Sequence, residues 1–364
     1  YIDADDHVNR YDVEMPDLLL MIAGSVAESL REKEDIHIEY KFLRSRWEEI
    51  KDFVLSPLEI EKVKIPVEGF AAFTAKLKRA DGESRRKVRE KLAPQLPSLL
   101  DEVNLVFADA RVKLKKRGYQ DLVLVVDNLE KISDENNAYY RVFVVGGEQL
   151  SAIGAHFVFT VPLPLIHSPK RALLVQTFGE EPLVLPMVKV EEKNGDPYKE
   201  GLELMCEVLR CRFKIAGVED SKVFDSPDTS AHLCRMSGGH VRNLLIYFRS
   251  ASDYVDSPPL TEEAVRRGIR QHINAYSRSI PERDWELLAR LHLNPDKHVP
   301  NDDTHQGMLG DLSILEYMNG EEPWYAVNPV VRELERFKST VEAVKDGNVK
   351  NENKHRETEA RRGY

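Results

Sequence analysis

Residues 121–132, DLVLVVDNLEKI, constrain the fold of this chain more than any other stretch. Leu122, Val123, Leu124, Val125 and Val126 form a continuous apolar, largely β-branched run. The run is too unbroken to alternate and too short for a typical helix, so it predicts a strand buried on both faces, the pattern of a central parallel strand. It ends on an acid, Asp127, with Asn128 and a second acid, Glu130, just beyond. In an open α/β sheet, ligands sit outside the carboxyl ends of the strands, which is where these carboxylates fall. Asp and Asn are also the residues that any strand-to-helix turn favours, so a plain capping role for Asp127 competes with a chemical one.

The 364 residues exceed what one core usually organises, so two or three domains are expected. A net charge of −10 argues against a body that wraps nucleic acid non-specifically. Cys206, Cys211 and Cys234 are too few and too loosely spaced for a zinc site or a disulfide framework, which favours a reducing, cytoplasmic setting. No apolar run approaches the roughly 20 residues of a membrane span.

In chain order, residues 1–6 predict a short strand ending in acids, and Met15-Pro16-Asp17 opens an amphipathic helix carrying Leu18, Leu19, Met21, Ile22, Val26 and Leu30. Residues 40–118 are charged and helical in pattern. One apolar stripe is Trp47, Ile50, Phe53 and Val54; another is Leu99, Leu100, Val103, Leu105 and Val106. Between them the basic run RADGESRRKVREK reads as a solvated helix face, with nucleic-acid or partner contact as the minority reading. AHFVFTVP over residues 155–162 predicts a second buried strand, ending in Thr160, and LVLPMVKV over 183–190 a third; strands separated by helices imply a doubly wound parallel sheet. A helix over 199–213 and a short linker at 225–228 follow. Residues 229–277 are wholly helical, with a Ser-Gly-Gly break and a Thr261 N-cap followed by acids. Further on, helices precede an Asn319-Gly320 hairpin signal between apolar-aromatic runs, which suggests a winged helix.

Taken in this order, VLVVDNLE, the strand ending in Thr160, the SGGHVRNLL turn and helix, and the terminal helices with their hairpin resemble AAA+ and STAND ATPases, closest to the origin-recognition-like branch. VLVVDNLE looks like a Walker B element. The resemblance implies a P-loop NTPase-like α/β domain over 1–215, a helical lid over 216–278, a winged-helix-like domain over 279–338 and a charged tail over 339–364. It implies ATP and Mg²⁺ as cofactors, with the metal at Asp127, and catalytic roles for Asp127, Glu130, Thr160 as sensor 1 and Arg242 as sensor 2. It further assigns Asn128 and Gly239, with Asp127 and Arg242, to nucleotide binding. An Arg at that place would reach a γ-phosphate and report hydrolysis as a lid movement.

The sequence departs from the family pattern in two places. No Gly-x-x-x-x-Gly-Lys-Ser/Thr occurs, and because that loop precedes the first acid-tipped strand, the resemblance implies that it lies upstream of Tyr1. Asn128 stands where Glu commonly follows the Walker B Asp, which leaves Glu130 as the nearest acid. The dispersed His7, His156, His167 and His240 have no metal-site spacing, and Ser237 lacks the nucleophile-elbow context. Arg141 and Arg171 are the arginine-finger candidates, each weighed against a plain surface Arg. Two functions follow: an ATP-hydrolysing molecular switch that couples nucleotide state to partner binding or oligomerisation, or a non-catalytic P-loop-like scaffold binding protein or DNA through its winged helix. Few Arg or Lys fall in 285–334, namely Arg290, Lys297 and Arg332 with Arg283 and Arg336 at its margins, so the partner expected there is protein more than DNA.

Overall fold

The structure is a computed structural model that describes residues 1–38, 77–133, 137–168 and 170–347. Its contacts divide the chain into two units, Tyr1–Leu183 and Val184–Tyr364. The fold is mixed α/β, with a small parallel sheet in the first unit and mostly helices in the second.

In the first unit Ile2–Asp3 (β1), Val123–Asp127 (β2) and His156–Phe159 (β3) pair in parallel in that order, so β2 is central, as its apolar run predicts. The expectation of burial on both faces is corrected. Leu124 and Val126 are 3% and 1% exposed, whereas Val123 and Val158 are 58% and 59% exposed. The register sets Leu124 beside Phe157 and Val126 beside Phe159, which places the covered residues on one face. The cause is topological. Right-handed crossovers that step in one direction, from β1 to β2 to β3, carry their connections over the same face. Among the described residues the other face keeps Val123, Val125 and Val158 in the open.

The described part of the connection from β1 to β2 includes the long helices Met15–Glu34 (α1), Gly82–Leu92 (α2) and Leu96–Lys116 (α3). Leu18, Leu19, Met21, Ile22, Val26 and Leu30 of α1 are all buried, as their spacing predicts, and Pro16 sits in the first turn, where its missing N–H costs nothing. On α3, Leu99, Val103 and Val106 enter the core while Leu105 is left outside. The stripe of Trp47, Ile50, Phe53 and Val54 lies outside the described residues. The basic run is only partly a solvated face. Arg86 and Lys87 point outward to Glu90 and Glu83, but Arg89 is buried, donating from Nε to Asp17 Oδ2 at 2.8 Å and from Nη1 to Asp12 Oδ1 at 2.5 Å. Arg85 adds a bond from Nε to Asp12 Oδ2 at 2.8 Å. These bonds bolt α2 to the start of α1.

Residues 183–190, expected as a further strand of the parallel sheet, form no strand. Their pairing needs are met within the second unit: Met187 N donates to Glu316 O at 2.9 Å, and Val188 N to Gly239 O at 3.2 Å. For the same reason the units divide at 183/184, upstream of the boundary expected near 215. After Arg171–Phe178 (α4) in the first unit, the second unit contains Lys199–Ile215 (α5), Pro227–Met236 (α6), Val241–Ser252 (α7), Glu262–Ser279 (α8), Asp284–Leu293 (α9) and Asp303–Gly310 (α10). Met205, Leu209 and Phe213 of α5 share one core with Leu233, Leu244, Val265 and Val330. The stretch read as a linker at 225–228 is instead the capped start of α6, where the Ser226 hydroxyl accepts from Thr229 N at 3.2 Å. Thr261 caps α8 as its sequence predicts.

The hairpin signal at Asn319-Gly320 is an antiparallel pair, Ile314–Asn319 (β4) with Glu322–Val327 (β5), and Gly320 takes the positive φ of +60° that the turn demands. Tyr317 and Trp324, opposite each other across the hairpin, pack with tilted rings in a small cluster with Leu315, Ala326, Leu312 and Met187. The last described helix is Glu335–Lys345 (α11), packed against α9 through His292 and Phe337.

Candidate functional site

The carboxyl end of the parallel sheet gathers the first group of candidates. Asp127 continues the β2 alternation and lies on the same face as Val123 and Val125. Beside it the end of β3 continues into Thr160, whose N–H donates to Val126 O at 3.2 Å. The structure therefore brings Asp127 and Thr160 together at adjacent strand ends. Asn128 adopts a left-handed φ of +66°, which Asn tolerates better than most residues, and this turns the chain into the one-turn helix Leu129–Lys131.

Asp127, Asn128 and Thr160 each have partners at this edge. Asp127 Oδ1 accepts from Asn128 N at 2.9 Å and Oδ2 from the Tyr1 hydroxyl at 2.7 Å. Asn128 Nδ2 donates to Asp3 Oδ1 at 2.7 Å. The Thr160 hydroxyl accepts from Leu129 N at 3.0 Å and Glu130 N at 3.3 Å, so it anchors the turn that carries Glu130, while Glu130 itself is exposed. The hydrogen bond to the Asp127 carboxylate pushes the Tyr1 phenol up to about 12. Tyr1 and Asp3 belong to this edge, and the sequence reading missed them. They reach Asp127 and Asn128 across more than a hundred residues of chain, and only the strand register shows it.

This arrangement bears on Mg²⁺ in a limited way. Mg²⁺ in nucleotide sites is commonly held by one or two carboxylates together with phosphates and waters. Asp127 could supply one such ligand, because an ionised carboxylate offers about four acceptor sites over its two oxygens. Among the described residues, no group of three or more His, Cys, Asp or Glu side chains is placed to hold a metal ion by itself.

The second group lies in the second unit. Ser237 is fully buried; its hydroxyl donates to Cys234 O at 2.6 Å and accepts from Gly239 N at 3.2 Å. Gly238 and Gly239 both have positive φ, +60° and +76°. A Cβ on Gly239 would stand 1.7 Å from Val188 O, and one on Gly238 would stand 2.2 Å from a Leu315 methyl. The Tyr317 hydroxyl donates to Gly238 O at 2.9 Å. The double glycine is thus needed for close approach to the 187–190 segment and the hairpin, a packing requirement independent of any ligand. His240 caps α7 by accepting from Asn243 N at 3.2 Å. Arg242, in the first turn of α7, is exposed and makes no hydrogen bond or ion pair among the described residues.

Of the two arginine-finger candidates, Arg141 begins a single π-helical turn, Arg141–Val145, in which Gly146 N reaches back to Arg141 O at 2.8 Å. Arg171 pairs with Glu181 at 2.8 Å. The basic residues around the hairpin are committed within the chain. Arg290 pairs with Glu286 and Arg336 with Glu282; Arg332 forks onto the buried Glu191; Lys297 donates to His292 O. Arg283 lies 3.5 Å from Asp284.

Comparison with protein-family models, with curated proteins and with solved structures yields no match to this chain.

Proposed function

We propose that this chain is part of an ATP-binding and hydrolysing molecular switch of the AAA+/STAND kind. The observation that carries the reading is the placement of Asp127 at the tip of the central parallel strand with Thr160 at the adjacent strand end. These are the positions of a Mg²⁺-holding acid and a sensor residue in such a switch. In this reading the parallel sheet belongs to a doubly wound fold, and α9, α10 and the β4–β5 hairpin act as a winged-helix element. Tyr317 ties that hairpin to the Ser-Gly-Gly turn, so lid and wing move as one body in the proposal. Asp127 and Asn128 hold the nucleotide-metal group, Glu130 orients the attacking water, and Gly239 and Arg242 serve on the side of the lid.

The alternative, a scaffold that binds without turnover, is favoured by one observation: the Thr160 hydroxyl is engaged by Leu129 N and Glu130 N, a structural use of the residue. For such a scaffold a protein partner suits the hairpin region better than DNA. Its basic residues are already paired with acids or carbonyls, leaving little to neutralise phosphates.

The deciding experiment is Mg-ATP titration and steady-state hydrolysis on the protein expressed from its complete reading frame, with Asp127→Asn and Glu130→Gln alongside. The switch predicts binding with turnover that both variants depress at unchanged melting temperature. No binding in the wild-type protein would sink the switch and leave the scaffold.

A further inference from the structure

Helix α5 carries two apolar stripes. Met205, Leu209 and Phe213 are buried in the core of the second unit. Beside that stripe Leu204 and Ile215 are 61% and 88% exposed and Cys211 is exposed, while Val208, half-buried between them, also touches the edge of the core. At about 100° per residue, Leu204, Val208, Cys211 and Ile215 fall within one narrow strip, and their spacing of 4, 3 and 4 is the seam of a two-helix coiled coil. A lone exposed Leu is ordinary on a protein surface; a continuous seam at heptad spacing is not.

The charges say what fits the seam. After Lys199 at its first position, the N-terminal half of α5 carries Glu200, Glu203 and Glu207, and the C-terminal half Arg210, Arg212 and Lys214. Such a helix complements a copy of itself running the other way. Glu207 and Lys214 flank the same side of the seam, and antiparallel pairing sets each opposite the other's equivalent, twice by symmetry. Lys214 makes no side-chain hydrogen bond or ion pair among the described residues, so it is available for that contact. Glu207 already receives Arg210 at 3.0 Å within the helix, at an exposed position where a second cation can share it.

We propose that α5 is a homodimerisation surface, pairing antiparallel with α5 of a second copy of this chain. Leu204 packs on Ile215 of the partner subunit, and Val208 on Cys211 of the partner subunit. The contact spans about 16 Å of helix, which makes it a small interface and a concentration-dependent dimer. It stands whether or not the chain hydrolyses ATP.

Sedimentation equilibrium of the full chain, from low to high micromolar concentration, tests it. Wild type is expected to shift from monomer to dimer. Leu204→Lys combined with Ile215→Lys should stay monomeric with an unchanged melting temperature, since both side chains are outside the core. Glu207→Lys should weaken the dimer several-fold, and adding Lys214→Glu should restore it, because the swapped charges complement each other again. Val208→Cys should form an intermolecular disulfide under mild oxidation that Cys211→Ser abolishes. A wild type that stays monomeric, or a dimer indifferent to Leu204 and Ile215, overturns the proposal. Cross-linking of wild type through Cys211 to its own equivalent overturns it as well, because that is the parallel register. If the double Lys variant fails to fold, the charge swap and the cysteine pair decide alone.

Discussion

Arg89 Nε donates to Asp17 Oδ2 at 2.8 Å across 72 positions of sequence, and both side chains are buried. The same guanidinium also reaches the Asp12 carboxylate and carbonyl. Removing one partner of a buried ion pair strands the other charge, at a cost of about 3–5 kcal/mol. Arg89→Ala is therefore expected to lower the stability of the first unit by that order in urea melts. Arg86→Ala, one helical step away and solvent-facing, should cost less than about 0.5 kcal/mol. Equal effects of the two variants would show that burial of Arg89 contributes nothing.

Gly239→Ala should be the more damaging of two matched glycine changes. At Gly195, φ is +90° with nothing within 4 Å of the added Cβ, so alanine there bears only the left-handed backbone cost of about 1–2 kcal/mol. At Gly239 the Cβ would also collide with Val188 O, a backbone atom that cannot swing aside. Thermal melts should show a clearly larger loss for Gly239→Ala. A loss no greater than that of Gly195→Ala would mean that the 187–190 segment yields freely.

His292 gives the second unit an acid-sensitive component. Burial, then the nearby Arg332, Lys297 and Lys345 cations, hold its imidazole down to about 4, and its ring packs edge-on to Phe337. Between about pH 6.5 and 4 the unfolded chain binds a proton there that the folded chain does not, so stability falls as pH falls through this window. His292→Phe removes this component. Chemical denaturation against pH should show the variant taking up to about one proton fewer on unfolding at pH 5. Identical pH slopes for the two proteins would refute the buried neutral state.

Arg242→Ala separates the switch from the scaffold at a different point from Asp127. Exposed and without an ion-pair partner among the described residues, the side chain contributes less than about 0.5 kcal/mol to folding, so melts should coincide. In the proposed switch, hydrolysis by the complete protein should fall on the order of tenfold, the loss of one charge-assisted contact in the transition state. Unchanged turnover would leave the SGGHVRNLL segment with the packing role that Gly238 and Gly239 already demonstrate.

Local chemistry made much of the molecule legible in advance. The apolar runs ending in Asp127 and Thr160 announced adjacent parallel strands, Pro16 and Thr261 marked helix starts, the spacing of Leu18 through Leu30 marked a buried helix face, and Asn319-Gly320 marked the hairpin. Each of these signals sits within a few residues of the structure it specifies. The Ser-Gly-Gly break was legible as a turn, but not as a site of contact with Val188 and Leu315, because the sequence carries no trace of which backbone will approach a glycine.

What the sequence alone determined is the strands ending in Asp127 and Thr160, the capped helix starts and the hairpin turn, since propensity, capping and periodicity act over one or two turns of chain. What only the tertiary structure decided is which segments meet. The LVLPMVKV run is apolar enough for a sheet, yet it pairs with Gly239 and Glu316 because those partners lie within its own unit. The basic run around Arg89 reads as surface, yet Asp12 and Asp17 draw it inward. The β2 run reads as doubly buried, yet among the described residues only its Leu124 and Val126 face is covered. Hydrophobicity and charge say how strongly a side chain prefers company; only the path of the whole chain selects the partner.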